Sequence, residues 1–356
     1  MLGHRRLAIL DLSNAAAQPM CDPVFRHAIV LNGEIYNYVE LRERLQAAGH
    51  RFESSGDTAV MLRALCESGS EAIGKLRGMF AFAFWNTAER SLYLARDPLG
   101  IKPLYVARPR SADAGWSLAF ASEVRALLAS GLIERPVLDA NAVGSIVWQG
   151  FAIAPNTAVE QIESLMPGEW RSFDDHGKEI SRLDYATAAT SREQSRLRET
   201  DIEAALEESV RLHLASDVPL GIFLSGGIDS SAIANLAQRT AGTRVKTFTL
   251  AFGEPEYNEG KIARQVAEAI GTEHQEVLLT EQRFVSELDA ALDSLDQPTF
   301  DGLNSYYMSH AVREGGFTVA LAGSGGDELF GGYLSFRKLP SVMRWSALTR
   351  WAPASA

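Results

Sequence analysis

The residues best suited to chemistry sit in two glycine-rich segments of the second half of the chain. Leu-Ser-Gly-Gly-Ile-Asp-Ser-Ser at 224–231 follows the apolar pair Ile222 and Phe223 and opens a helical pattern. Gly226 and Gly227 let backbone approach an anion, a helix start adds unpaired N–H groups and positive dipole, and the hydroxyls of Ser225 and Ser230 add donors. The pattern predicts a bound phosphate or pyrophosphate; a Gly-Gly pair that merely closes a tight strand-to-helix corner is the plainer alternative. The lysine of a GxxxxGK[ST] loop is absent, which argues against kinase-style phosphoryl transfer. A second loop, Gly-Ser-Gly-Gly-Asp-Glu at 323–328 with Phe-Gly-Gly-Tyr at 330–333, also follows an apolar stretch, 318–322. Loops at the carboxyl ends of parallel strands converge on one crevice. Asp229 and Asp327 would share it, and two carboxylates beside a polyphosphate call for a bridging Mg²⁺. Each aspartate read alone could instead cap its own helix.

In the first half, Asn32-Gly33-Glu34 follows the apolar Val30 and Leu31 at a strand end, where loops commonly carry sites. Asn and Gly at such a corner are equally the residues that a turn requires. Asp57-Thr58 reads as the N-cap of a helix.

The elements that must position these residues are legible from periodicity. Up to about residue 185 the pattern is short strands interrupted by two helices. One helix runs from about Val39 to Ala48 and stops at Gly49; the other starts at Asp57, places Val60, Met61, Ala64 and Leu65 on one face and ends before Gly69. Residues 7–12 alternate as a buried strand would, and 79–85, 91–95, 104–107 and 116–121 read as strands of an antiparallel sheet. The small polar stretch 186–200 is the expected linker. Beyond it a helix over 201–215 leads into strands near 219–225, 245–251, 275–279 and 317–322, alternating with helices near 229–240, 258–270, 282–294 and 303–314. That alternation predicts a doubly wound parallel sheet. The fold class is therefore two-domain, α+β followed by α/β. The acidic loop 296–301 is open between an acceptor-pocket wall and a solvated turn.

Bulk composition narrows the partners. The 356 residues carry a formal charge of −11, which works against a phosphate-backbone binder, and no apolar run is long enough to span a bilayer. Cys21 and Cys66, the two cysteines, form no CxxC and no zinc spacing, and a reducing, cytoplasmic setting fits them. The expected partners are small molecules, neither nucleic acid nor membrane, with a homodimer left open.

Taken together, Ser216-Asp217-Val218-Pro219, the loop 224–231, Gly325 to Tyr333, Gly3 to Ile9, Gly33 to Tyr38 and Ser55 to Thr58 resemble the glutamine-hydrolysing asparagine synthetase family. The resemblance covers nearly all of the chain. It implies a glutaminase domain over 1–185, an Ntn-hydrolase-like sandwich of antiparallel sheets, and an ATP-pyrophosphatase synthetase domain over 201–356, of the adenine nucleotide α-hydrolase type. In the first, Arg6 would pair with the α-carboxylate of glutamine, Glu34 and Asp57 would hold its α-ammonium, Leu7 and Ile9 would line the site, and Asn32 with the N–H of Gly33 would form the oxyanion hole. In the second, Leu224, Leu250, Ala322 and Gly323 would contact ATP, residues 225–230 would cradle its pyrophosphate, and Asp229 and Asp327 would hold Mg²⁺. The implied reaction adenylates aspartate and lets ammonia displace AMP.

Ser324 stands where asparagine-forming members typically carry an acidic residue, a position tied to the acyl-adenylate. Amidation of another carboxylate, or nucleotide binding without turnover, are the alternatives. The family's nucleophile is a cysteine at a mature amino terminus, and neither Cys21 nor Cys66 is so placed. The expectation is a natural reading frame extending upstream to a Met-Cys start and downstream through further ATP and acceptor contacts, with the chain of 356 residues inactive as a glutaminase.

Overall fold

The computed structural model describes residues 1–111, 113–185, 198–253 and 258–349; most of the expected linker lies outside them. The chain forms two compact units, one of Met1–Ile202, Ala215–Val218 and Val285–His310, the other of Glu203–Leu214, Pro219–Phe284 and Ala311–Ala356. Among the described residues no helix is long and apolar enough to cross a membrane.

In the first unit β1 (Met20–Cys21), β2 (Ala28–Ile35), α1 (Tyr38–Ala47) and α2 (Asp57–Ser68) precede β3 (Gly78–Asn86), β4 (Ser91–Arg96), β5 (Tyr105–Ala107) and β6 (Ala119–Ala121). Then come α3 (Val124–Ala129), α4 (Ala140–Gln149), β7 (Ile162–Ser164), β8 (Glu169–Asp174) and β9 (Glu179–Asp184). The strands form an antiparallel six-stranded sheet, β1-β2-β3-β4-β8-β9, and a three-stranded one, β6-β5-β7.

Period-two alternation sorts the core into layers. Ile29, Leu31 and Ile35 of β2, with Phe80, Phe82 and Phe84 of β3, pack against Leu41 and Leu45 of α1 and Val60, Met61 and Leu65 of α2. The intervening Val30, Ala81 and Ala83 face the other way, onto Leu104, Val106 and Leu165 on the three-stranded side. Both helices fall where the leucine spacing places them, and glycines with positive φ, Gly49 at 94° and Gly69 at 55°, follow their ends.

Two expectations fail locally. Residues 7–12 form no strand: Leu7 is 71% and Leu12 57% exposed. The Arg6 guanidinium instead donates to the carbonyls of Leu10 and Asp11, and Asp11 sits at φ 53°, so local polar contacts outcompete the apolar alternation. Asp57 is not an N-cap either. Gly56 occupies that position without a side-chain cap, and the Asp57 carboxylate accepts the N–H of Ile35 across the layer at 2.9 Å.

The acidic loop 296–301 proves to be a brace. The Asp296 carboxylate accepts the N–H groups of Val124 and Arg125, each at 2.9 Å, capping α3, whose own preceding residue Glu123 makes no side-chain cap. Gln297 donates to the Tyr105 hydroxyl and accepts from the N–H of Ala158.

The second unit contains most of α5 (Glu199–His213), then β10 (Leu220–Phe223), α6 (Ile228–Thr240), β11 (Lys246–Phe252), α7 (Gly260–Ile270) and β12 (Glu273–Leu279). After α8 (Glu281–Ser294) and α9 (Gly302–Glu314), whose residues are divided between the two units, come β13 (Val319–Leu321), α10 (Gly326–Phe330) and α11 (Leu334–Thr349). The sheet is wholly parallel, ordered β12-β11-β10-β13. Ile222 and Leu224 bury one face beneath Val210, Ala234, Leu236, Ala263 and Ala267 of α5, α6 and α7. On the other face Phe223 meets Phe248 edge to face, and Phe248 stacks on Phe317.

Asp97 carries much of the first unit's interior polar pairing. Fully buried, it accepts four backbone N–H groups, from Phe80, Leu99, Ile101 and Lys102. Asp97→Asn preserves the volume but offers one carbonyl oxygen in place of two, and should lower the unfolding free energy in urea by about 2–3 kcal/mol; a change within error would show that these bonds contribute little.

Candidate functional site

A cavity of about 80 Å³ opens at the β2 edge of the first unit. Arg6, Leu7, Ile9, Asn32, Gly33, Glu34 and Asp57 all line it, so the sequence-selected residues are brought together; His4, Gln18 and Thr58 join them. Neither Cys21 nor Cys66 does.

Backbone pairing dictates what β2 offers this cavity. Phe80, opposite Gly33, sends its N–H to the Asp97 carboxylate and receives the Asp97 N–H at its carbonyl, at 3.2 and 2.7 Å. Its polar groups therefore face β4, and Gly33–Phe80 is a non-hydrogen-bonded antiparallel pair. The N–H and C=O of Gly33 turn to the outer edge of β2. The neighbours two residues away confirm the phase: Leu31 is engaged there by Gln18 and Ile35 by Asp57. Only glycine fits at 33, because φ is 143° and a Cβ would lie 2.0 Å from the Met79 carbonyl oxygen.

Asn32 and Glu34 share the opposite face of β2, toward the three-stranded sheet. Glu34 is buried, and its Oε1 has no hydrogen-bond partner. Burial first, and the nearby Asp57 second, push its pKa up to about 7, against the pull of Lys102. Burial likewise raises Asp57. Two desolvated carboxyls, one of them with an unfilled acceptor, form a pair suited to a cationic group. The Nδ1 of His4 is also buried without a partner, and burial, with Arg6 adding to it, lowers that imidazole's pKa toward the neutral form.

The loop leading into Asp57 is clamped from two sides. The Asp11 carboxylate accepts from the Ser54 hydroxyl at 2.6 Å and from the N–H groups of Ser55 and Gly56. Arg42 donates to the Ser54 and Gly56 carbonyls, each at 2.9 Å, while lying over the Phe52 ring. Hydrogen bonds from Ser13 and Ser54 hold the Asp11 carboxyl well below the usual carboxylate range.

In the second unit, β10 and β13 are the neighbours at which the strand order reverses, the place where α/β sheets bind ligands. The two glycine loops leave these strands. Gly227 starts α6, a helix of 13 residues, with no side-chain cap, so its first N–H groups are left to another partner. Gly226 needs φ 81°, and a Cβ there would strike Ile262 of α7 at 2.7 Å. Ser230 is buried, and its hydroxyl accepts the Ser225 N–H and donates to the Gly227 carbonyl, so it staples the loop instead of presenting a free donor. Leu224 and Leu250 are buried side chains and can contact a ligand through backbone alone.

Asp229 and the loop of Asp327 meet. A Cβ on Gly326 would lie 2.3 Å from Asp229 Oδ2, and one on Gly323 would lie 3.0 Å from the Ser230 nitrogen. Among the described residues no three His, Cys, Asp or Glu side chains are grouped to hold a metal; the corner supplies two hard carboxylates. Tyr333 donates to Glu328 at 2.8 Å, and that bond first, then desolvation, then the charges of Glu328, Asp327 and Asp229, raise its pKa. Ser324 is exposed.

Comparison with known proteins agrees with both halves. Residues 1–185 match the glutamine amidotransferase domain model, and residues 201–355 match the asparagine synthase model. The chain belongs to the glutamine-hydrolysing asparagine synthetase family. Asparagine synthetase [glutamine-hydrolyzing] 1 of Bacillus subtilis (strain 168) is 36% identical over 343 residues, 94% of this chain and 52% of its own length. Asparagine synthetase B [glutamine-hydrolyzing] of Escherichia coli (strain K12) is 33% identical, covering 96% of this chain and 58% of its own. A putative asparagine synthetase [glutamine-hydrolyzing] 2 of Methanocaldococcus jannaschii is 31% identical, covering 96% and 70%. The chain thus spans about half the length of the first two relatives.

In this family member the Glu34 carboxyl costs stability once ionised. Its pKa is raised from 4.5 to about 7, so the folded state holds the proton more tightly than the unfolded chain and stability falls as pH rises between those values. Glu34→Gln should therefore stabilise the protein at pH 8, on the order of 1–3 kcal/mol, and make little difference at pH 4. Thermal unfolding at the two pH values checks this, and equal effects at both would contradict it.

Proposed function

We propose that the chain carries the glutamine-binding and ATP-binding parts of a ligase that makes asparagine. The observation that carries the reading is the buried Glu34 carboxyl, whose Oε1 has no hydrogen-bond partner, beside Asp57: the α-ammonium of an amino acid matches it. Arg6 then faces the α-carboxylate. Its Nη2 is engaged by the Leu10 and Asp11 carbonyls, which aims the guanidinium and leaves Nη1 and Nε. The Asn32 amide and the outward N–H of Gly33 serve the amide oxygen as charge builds on it during attack on the carboxamide carbon.

In the second unit the polyphosphate of ATP lies against residues 225–230 at the start of α6, and the adenosine is held by backbone at Leu224, Leu250, Ala322 and Gly323. Asp229 and Asp327 are hard carboxylates that would hold Mg²⁺, which would supply positive charge against the phosphates there. The β-carboxylate of aspartate attacks the α-phosphorus and pyrophosphate leaves. Ammonia then attacks the acyl carbon, loses a proton, and AMP leaves. The relatives, named as asparagine synthetases, favour aspartate as acceptor even with the neutral Ser324. On this reading 1–185 is an Ntn-hydrolase-like glutaminase domain, 186–200 a linker, and 201–356 a doubly wound sheet of the adenine nucleotide α-hydrolase type.

Calorimetry separates the two parts. Asp57→Asn keeps an acceptor for the Ile35 N–H but removes the charge, and should weaken L-glutamine at least about tenfold while leaving Mg²⁺-ATP unchanged. Gly226→Ala should do the reverse, since the positive φ and the Ile262 contact force the phosphate loop to shift. Glutamine affinity indifferent to Asp57→Asn, or nucleotide affinity indifferent to Gly226→Ala, would remove the corresponding half of the proposal.

A further inference from the structure

Among the described residues no strand covers the outer edge of β2 beside the cavity. β1 pairs Met20 with Ile29 and Cys21 with Ala28; two residues further back it would bring Gln18 opposite Leu31. Pro19 intervenes and has no N–H to give, and the ladder is continued by a side chain. Gln18 Oε1 accepts the Leu31 N–H at 2.6 Å, and Gln18 Nε2 donates to the Leu31 carbonyl at 3.3 Å. A primary carboxamide thus lies bidentate on the N–H and C=O of one β2 residue.

Two residues along, Gly33 turns its own N–H and C=O to the same edge. One residue pair beyond, Ile35 is taken by Asp57. What remains between Gln18 and Asp57 is a notch one residue wide, and its two walls are joined, because Gln18 Nε2 also reaches the Thr58 hydroxyl at 3.4 Å. Leu31 with Gln18 is an internal template for what Gly33 can bind.

We infer that Gln18 is a positioning residue that holds the Gly33 notch at the width of a single planar carboxamide, and so sets selection of a carboxamide over a carboxylate. The inference rests on the glutamine reading given above. A carboxamide presents one acceptor and one donor, matching the N–H and C=O of Gly33. A carboxylate presents two acceptors, one of which would meet the Gly33 carbonyl, with the Glu34 and Asp57 carboxyls close by. Loosening the Gln18 wall lets the ligand group shift away from this pairing, so discrimination is lost before ammonium binding is.

The test is the ratio of L-glutamine to L-glutamate affinity, measured by calorimetry on the full chain at pH 8. Gln18→Leu should lower the ratio at least fivefold while leaving Mg²⁺-ATP affinity within twofold. The pH inflection of amino-acid binding that belongs to Glu34 should stay in place, since Gln18 does not touch that carboxyl. Thr58→Val, which removes the bridge between the walls together with a 3.4 Å bond to the Asp57 carboxylate, should lower the ratio about twofold and keeps the test decisive if Gln18→Leu fails to fold. A fall of both affinities by one factor, with the ratio unchanged, would reduce Gln18 to a scaffold residue and overturn the inference, as would no change at all. A wild-type chain that binds neither amino acid would remove the glutamine reading itself, and the inference with it.

Discussion

The first unit depends on the alternation of a single strand. Along β2 the odd residues give side chains to the helical layer and backbone polar groups to the outer edge, while the even residues place Val30, Asn32 and Glu34 toward the second sheet. A shift of one residue would exchange these sets, burying the cavity's polar groups among phenylalanines. The register is held by groups that do not line the cavity: Asp97 fixes Phe80, and the Phe80–Phe82–Phe84 series locks β3 beneath the helices. Site geometry and core packing are here one constraint.

The second unit reaches its site by close approach. Its glycines matter because three pieces of backbone crowd one corner: the loop after β10, the loop after β13 and the start of α7. At Gly226 both φ and Ile262 exclude a side chain, and at Gly326 the Asp229 carboxylate occupies the place a Cβ would take. The serines mostly serve this crowding; Ser230 and Ser231 both bond the Gly227 carbonyl. The uncapped helix start is what such a corner leaves exposed to an anion.

Much of this was legible from residue order. The leucine spacing of α1 and α2, their glycine stops, and the strand-helix alternation from β10 to β13 are local or periodic signals, and the elements lie where those signals place them. Gly33, Glu34 and Asp57 could be chosen by motif. Gln18 could not, because its role is that of a missing strand residue and exists only once β1 and β2 pair. Asp57 was misread as a cap for a related reason: nothing local reveals that Ile35 passes within reach. The stretch 7–12 shows the converse failure, where a correct alternation was overridden by Arg6 and Asp11 satisfying nearby backbone. Asp296 acts 172 residues from its partner Val124, beyond any window that reads sequence locally.

That last brace bears on how the protein is made and dissected. The first unit includes Val285–His310, so the ribosome must deliver β10, β11 and β12 before α3 receives its cap and Tyr105 its Gln297 partner. A nascent first unit would wait, incomplete, through the synthesis of much of the second. Cutting the gene after residue 185 to obtain a free-standing amino-terminal domain would leave the same positions bare. A recombinant version would have to graft the 285–310 segment back, in trans or through a redesigned loop.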